Sequence, residues 1–170
     1  MDFLTLAKER CSVRKFRPDA VPKEDILKIL EAGRVAPTAC NNQPQRILAI
    51  TGDDARARLK KCTACHFDAP LAFLICADTA VCWRRSFDGK TSEEVDAAIV
   101  TTHMMLEAAS LGIGSTWVMF FDPEAARAEF ALPETVVPVA MLMMGYPAEG
   151  YQPSERHEMR KPLSETVTFE

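Results

Sequence analysis

No apolar run in this sequence is long enough to cross a bilayer as a helix. The longest such stretches, LAFLICA and VVPVAMLMMGYP, fall well short of the roughly 20 residues a helical span requires. A secretory leader pattern is also missing. The opening MDFLTLAKERCSVRKF carries charges at its second and eighth residues and has no apolar centre followed by small residues. A cytoplasmic location is expected, with no membrane partner. Nor is there an excess of positive charge: Lys and Arg total 20 against 24 Asp and Glu, a formal net charge of -4. Nucleic-acid binding leaves a net basic footprint and is not expected here. Internal repeats, low-complexity tracts and linkers are lacking too, so residues 1–170 read as one domain. A domain of this size buries roughly 68–70% of its unfolded surface and needs neither a disulfide nor a structural metal.

Familiar catalytic signatures are equally scarce. Gly112 and Gly114 form a lone G-x-G that follows a helical pattern, which is not a dinucleotide-binding fingerprint. Lys161 stands where an H-E-x-x-H motif beginning at His157 needs its second histidine, and no metal site is expected. Local spacing supports no Ser/His/Asp or Cys/His set, so no catalytic side chain is assigned. Cys62 and Cys65 form a C-x-x-C beside His66. No strand precedes the pair as a thioredoxin-like site would require, so a thiol or metal role is the weaker reading.

What is present is an alternation of helices with about four strands. A first helix is expected from Asp2, with Phe3, Leu6 and Ala7 on one side. A second opens at Pro22 with Glu24 and Asp25 in its first turn and closes at Gly33. RILAIT reads as a strand, ARARLKK as a short helix, and LAFLICADT as a central strand covered on both faces. A long helix capped by Ser92 carries Val95, Ile99, Met105, Leu106 and Ala109, with His103 set to pair with Glu107. STWVMFF and VVPVAMLMMG are strands, separated by a helix that Asp122 and Pro123 begin. SETVTFE at the end reads as extended. An α+β domain with helices on both faces of a central sheet follows.

Three segments have ligand chemistry. Arg10, Ser12 and Arg14 are spaced two apart, so an extended backbone projects them from one face. Two guanidinium groups and a hydroxyl make a cradle for a terminal phosphate, with a solvated basic patch as the alternative. Asn41, Asn42 and Gln43 place three carboxamides in one turn, each a donor and an acceptor. That mixture suits a heterocycle with alternating C=O and N–H edges, or a plain polar turn ending at Pro44. Gly112 and Gly114 either let the backbone approach a planar ligand or end the preceding helix. Near the end, Arg156, His157, Arg160 and Lys161 concentrate positive charge, and Arg160 is the candidate to reach back to a phosphate.

Taken in order, RCSVRKF, VPKEDILKILEAGRVAPTACNNQP, the strand ending in CADT, LEAASLGIGSTWV, ALPETVVPVAMLMMGYP and the Arg160–Lys161 pair resemble the short members of the nitroreductase family. The resemblance runs from about Phe3 to about Leu163. It implies a mixed central sheet flanked by helices and an intimate homodimer with FMN at the subunit interface. The tail from about residue 147 is then expected to pack on the partner. Carried over, Arg10, Ser12 and Arg14 hold the FMN phosphate and ribityl end, and Arg160 returns to the phosphate. Pro37, Thr38 and Ala39 line the flavin, Asn41 and Gln43 supply polar contacts, and Gly114, Ser115 and Thr116 approach the ring. The implied activity is ping-pong transfer of hydride from NAD(P)H through FMN to an acceptor such as a nitroaromatic or quinone. The protein supplies binding and electrostatics rather than an acid–base pair. The rivals are a flavin-binding sensor or storage protein, and a thiol or metal module using Cys62 and Cys65. Thr38 stands where the family usually has serine, and Gln45 where an aromatic often follows Gln-Pro. Met119, Phe120 and Phe121 make the stretch after Trp117 bulkier and are expected to narrow the acceptor pocket.

Overall fold

The computed structural model describes residues 2–170; the first residue of the expected domain lies outside them. Strand β2 (Leu71–Asp78) lies at the centre, with every residue from Leu71 to Ala77 at most 1% exposed. Four strands form one sheet in the order β1-β2-β4-β3, where β1 is Gln45–Ile50, β3 is Gly114–Val118 and β4 is Val136–Gly145. Each of the three pairings is antiparallel. The parallel component of the expected mixed sheet is confined to the bridge between Ser12 and Ser115. The reason lies in the connections. Ile50 stands opposite Ala72, so the chain leaves β1 and re-enters β2 at the same end. Alternating helices and strands in a sequence do not reveal which end a helix returns to.

Successive side chains of a strand face opposite sides, and both sides here are buried. Leu71, Phe73, Ile75, Leu142 and Met144 pack against Ile29 of α2 (Lys23–Arg34) and Val100, Met104 and Ala108 of α4 (Glu93–Ser110). On the other face, Ala72, Leu74, Met141 and Met143 meet Leu59 and Cys62 of α3 (Asp53–Cys62) and Ala126 of α5 (Pro123–Glu129). Each large apolar side chain buried in these layers contributes about 1.5–3 kcal/mol. Pro138 is compatible with β4 because the ladder slips there. Ile75 faces Ala140 and Cys76 faces Pro138, leaving Val139 as an extra residue.

The ends of the elements follow local chemistry. Asp2 caps α1 (Phe3–Glu9) by accepting from the N–H groups of Leu4 and Thr5, and Asp122 caps α5 in the same way. Several expectations are corrected. Ser92 precedes α4 but donates its hydroxyl to Asp96 rather than capping the helix. Gly33 lies inside α2, where a Cβ would come within 2.9 Å of Met104, so it serves helix packing rather than termination. His103 bonds to the carbonyl of Ile99, one turn back, rather than to Glu107. The strand expected over STWVMFF stops at Val118. There the Phe120 carbonyl accepts from the Thr63 hydroxyl and the Asp122 N–H donates to the Cys62 carbonyl, drawing the chain onto the end of α3. SETVTFE, expected to be extended, begins within a short 3-10 turn over Leu163–Glu165, and the polar stretch before it holds another at Glu155–His157. Among the described residues no helix is long and apolar enough to cross a membrane.

Candidate functional site

Residues 10–14 leave α1 in an extended run beside β3. Val13 is 2% exposed and donates its N–H to the Ser115 carbonyl at 2.9 Å. Tyr151 donates its hydroxyl to the Ser12 carbonyl at 2.6 Å. With Val13 facing the core, Arg10, Ser12 and Arg14 share one side, as their spacing requires. They line a cleft of about 240 Å³ together with Cys11, Ser154, Arg156, His157 and Arg160. The structure thus brings Arg160 to the three residues near the start. It also adds Arg156 and His157, which the sequence offers only as general positive charge. Arg160 donates to the His157 carbonyl and, at 2.9 Å, to that of Met159. Among the described residues no carboxylate lines the cleft. Four guanidinium groups converging without a counter-charge repel one another, and an anion with several acceptor oxygens relieves that repulsion.

A second concavity shares Arg10 and Cys11 with the first and continues past Val13, Gly114, Ser115 and Pro147. Gly114 has a packing reason: a Cβ there would lie 2.7 Å from Cγ2 of Val13. Gly112 has φ +73° just after α4, where left-handed backbone ends a helix without strain. Neither glycine needs a ligand to explain it. Ser115 and Thr116 are each 2% exposed, and the Ser115 carbonyl is taken by Val13.

The turn over residues 37–43 is elsewhere, and none of Pro37, Thr38, Ala39, Asn41 and Gln43 lines either concavity. Its backbone is unusual. Cys40, Asn41 and Gln43 have φ of 50°, 55° and 51°, left-handed values at non-glycine residues. Left-handed backbone costs about 1–2 kcal/mol per residue and persists where surrounding bonds enforce it. Those bonds are visible. Thr38 Oγ1 accepts from the Gln43 N–H at 3.1 Å, and Asp96 Oδ1 accepts from the Ala39 N–H at 2.9 Å. The Asn42 side chain donates to the Val81 carbonyl at 3.0 Å, and that of Gln43 to the Asn41 carbonyl at 3.3 Å. Asp96 is not among the residues singled out by motif or spacing. Its signal is an acid in register with Val100, Met104 and Ala108 on the core-facing stripe of α4.

All six cysteines are free. Burial pushes the Cys62 thiol up, with Glu129 and Asp122 adding to the effect. Burial likewise raises Cys76 to about 12 and Cys82 to about 11. A redox-active C-x-x-C needs a lowered thiol, so Cys62 behaves as a core residue that donates to the Arg58 carbonyl. Among the described residues no group of three His, Cys, Asp or Glu side chains could hold a metal. Of the bulky residues after Trp117, Phe121 packs on the core, whereas Met119 and Phe120 are exposed.

One antiparallel sheet between two helical layers, with a carboxylate-free arginine cleft beside β3, defines an α+β domain suited to a phosphorylated ligand. The nitroreductase family model matches residues 7–72 and 66–146, and the chain belongs to the nitroreductase family. A nitroreductase family protein of Clostridium difficile has a solved structure that is 45% identical. That match covers 100% of this chain and 99% of the other, with a TM-score of 0.94. A nitroreductase of Desulfovibrio desulfuricans, solved in complex with FMN, is 30% identical with a TM-score of 0.81, over 98% of this chain and 95% of its own. A Thermus thermophilus protein named NADH dehydrogenase is 29% identical over 188 residues, covering 92% of each chain.

Proposed function

We propose that this protein is a cytoplasmic, homodimeric FMN oxidoreductase. It takes hydride from NAD(P)H and reduces an acceptor such as a nitroaromatic or quinone in a ping-pong cycle. The observation that carries the reading is the arginine cleft. Arg10, Ser12, Arg14 and Arg160 hold the FMN phosphate and ribityl end there. FMN, when bound, supplies the hydride chemistry. The chain's own residues bind it, orient it and set the electrostatics around it. Pro37, Thr38 and Ala39 line the ring, with the Asn41 and Gln43 carboxamides at its polar edge. Gly114, Ser115 and Thr116 approach it through their backbone, since the two hydroxyl side chains are buried.

The cleft of about 240 Å³ accommodates a phosphate rather than a whole flavin, and the 37–43 turn lies outside it. A second copy of the chain supplies the missing wall. Support comes from α4, which is apolar on two sides. Besides its core stripe, Val95, Ala98, Ile99 and Thr102 line an outward groove of about 540 Å³ with Glu94 and His103. Phe3 and Leu4 of α1, Leu27 of α2, and Leu163 and Phe169 of the tail are also exposed. A helix apolar on both sides belongs between two partners. The tail from about residue 147 packs on the partner in this assembly. Val95→Glu is expected to yield monomers in analytical ultracentrifugation and to release FMN at the same protein concentration. A dimeric, FMN-replete V95E protein would contradict the interface.

Initial rates test the reaction order. Varying NADH at several fixed concentrations of a quinone is expected to give parallel double-reciprocal lines. Intersecting lines would contradict alternation of the two substrates at one site.

A further inference from the structure

We propose that Asp96 is the positioning residue of the 38–43 turn, a role that rests on reading this turn as a wall of the flavin site. Asp96 occupies the first turn of α4 and is 1% exposed. Both oxygens of its carboxylate are engaged. Oδ1 accepts from the Ala39 N–H at 2.9 Å, and Oδ2 accepts from the Ser92 hydroxyl at 2.7 Å. Burying a carboxylate costs several kcal/mol. The dipole of α4 favours acids in its first turn, but Glu93 and Glu94 supply that charge from less buried positions, so the helix alone does not account for burying a third. The bond to Ala39 does.

Ala39 immediately precedes the left-handed residues Cys40 and Asn41, and the bond from Asp96 spans 57 residues of sequence. The Thr38 hydroxyl closes the turn locally through the Gln43 N–H, and Asp96 fixes the closed turn to the helix layer. A bond to a charged acceptor is about twice as strong as a neutral one, and low polarity around it strengthens it further. The consequence is directional. Asn41 and Gln43 lie on the exposed surface, presented by a backbone that would relax if released. Asp96 therefore acts on the ligand through the turn rather than by touching it.

The test compares wild type with Asp96→Asn, Asp96→Ala and Ser92→Ala. FMN affinity is read by quenching of flavin fluorescence, the position of the visible flavin band in the loaded protein is recorded, and the ligand-free proteins are melted. Asp96→Ala is expected to weaken FMN binding about tenfold and to shift the flavin band. Asp96→Asn keeps an acceptor for Ala39 without the charge and is expected to fall between. Ser92→Ala leaves the Ala39 bond intact and is expected to bind FMN as wild type does. A lowered melting point with unchanged FMN affinity and an unshifted band in Asp96→Ala would overturn the proposal. If that variant does not fold, the same result in Asp96→Asn overturns it. A wild-type protein that binds no FMN sinks the flavin reading and this role with it. Wild-type binding with unaffected variants sinks only the role of Asp96.

Discussion

Replacing Arg14 with alanine is expected to weaken FMN binding by about 100-fold while leaving the fold intact. The magnitude follows from the number and kind of bonds. A guanidinium can give a phosphate two parallel charge-assisted bonds. Hydrogen bonds to charged groups contribute about 1.5–3 kcal/mol each, and about 1.4 kcal/mol is tenfold in affinity. Arg14 is exposed and lines a cleft without carboxylates, so its removal breaks no internal ion pair there. Arg14→Lys restores the charge without the planar fork and is expected to recover only part of the loss. Binding is measured by flavin fluorescence. A folded Arg14→Ala protein with wild-type affinity would remove the cradle from the account.

The second large effect is expected at Gly114. An alanine there would place its Cβ 2.7 Å from Cγ2 and 2.9 Å from Cβ of Val13. Val13 cannot yield freely, because it is 2% exposed and its N–H is bonded to the Ser115 carbonyl. Either β3 or the 10–14 segment has to move. Overpacking of this kind costs about 1–3 kcal/mol, which lowers Tm by several degrees in a domain of this length. Val13 lies between Ser12 and Arg14, so the displacement also disturbs the phosphate cradle and lowers FMN affinity. Val13→Ala removes the two γ-carbons but leaves its own Cβ at 2.9 Å, so it relieves part of the overlap: Val13→Ala combined with Gly114→Ala is expected to be more stable than the sum of the single changes predicts. Strict additivity, or an unchanged Tm in Gly114→Ala, would contradict this packing.

Both effects concern residues whose grouping is partly legible in the amino-acid sequence. The i, i+2, i+4 spacing of Arg10, Ser12 and Arg14 is a local property, and extended backbone converts it directly into a shared face. The continuous apolar run of β2 likewise signals burial on both sides, which two helical layers supply. Properties set by distant parts of the chain are not legible. Strand direction depends on where α3 and the following turn return the chain. Gly114 reads as a ligand-facing glycine or a helix terminator because its true neighbour, Val13, is about a hundred residues away in sequence. Asp96 carries a signal, an acid on an apolar stripe, but its partner Ala39 cannot be named from periodicity. The separation of the 37–43 turn from the arginine cleft is of the same kind. The family resemblance implies contacts from two subunits, and one chain alone does not bring the two groups into one cleft.

Anaerobic titration of the FMN-loaded protein tests flavin binding and nicotinamide oxidation at once. Stepwise addition of NADH or NADPH is expected to bleach the visible flavin absorbance, with about one nicotinamide oxidised per FMN, since each hydride carries the two electrons that FMN accepts. Colour should return on adding a quinone. Bound FMN that stays oxidised in excess of both nicotinamides would contradict the account and identify the protein as a flavin holder instead.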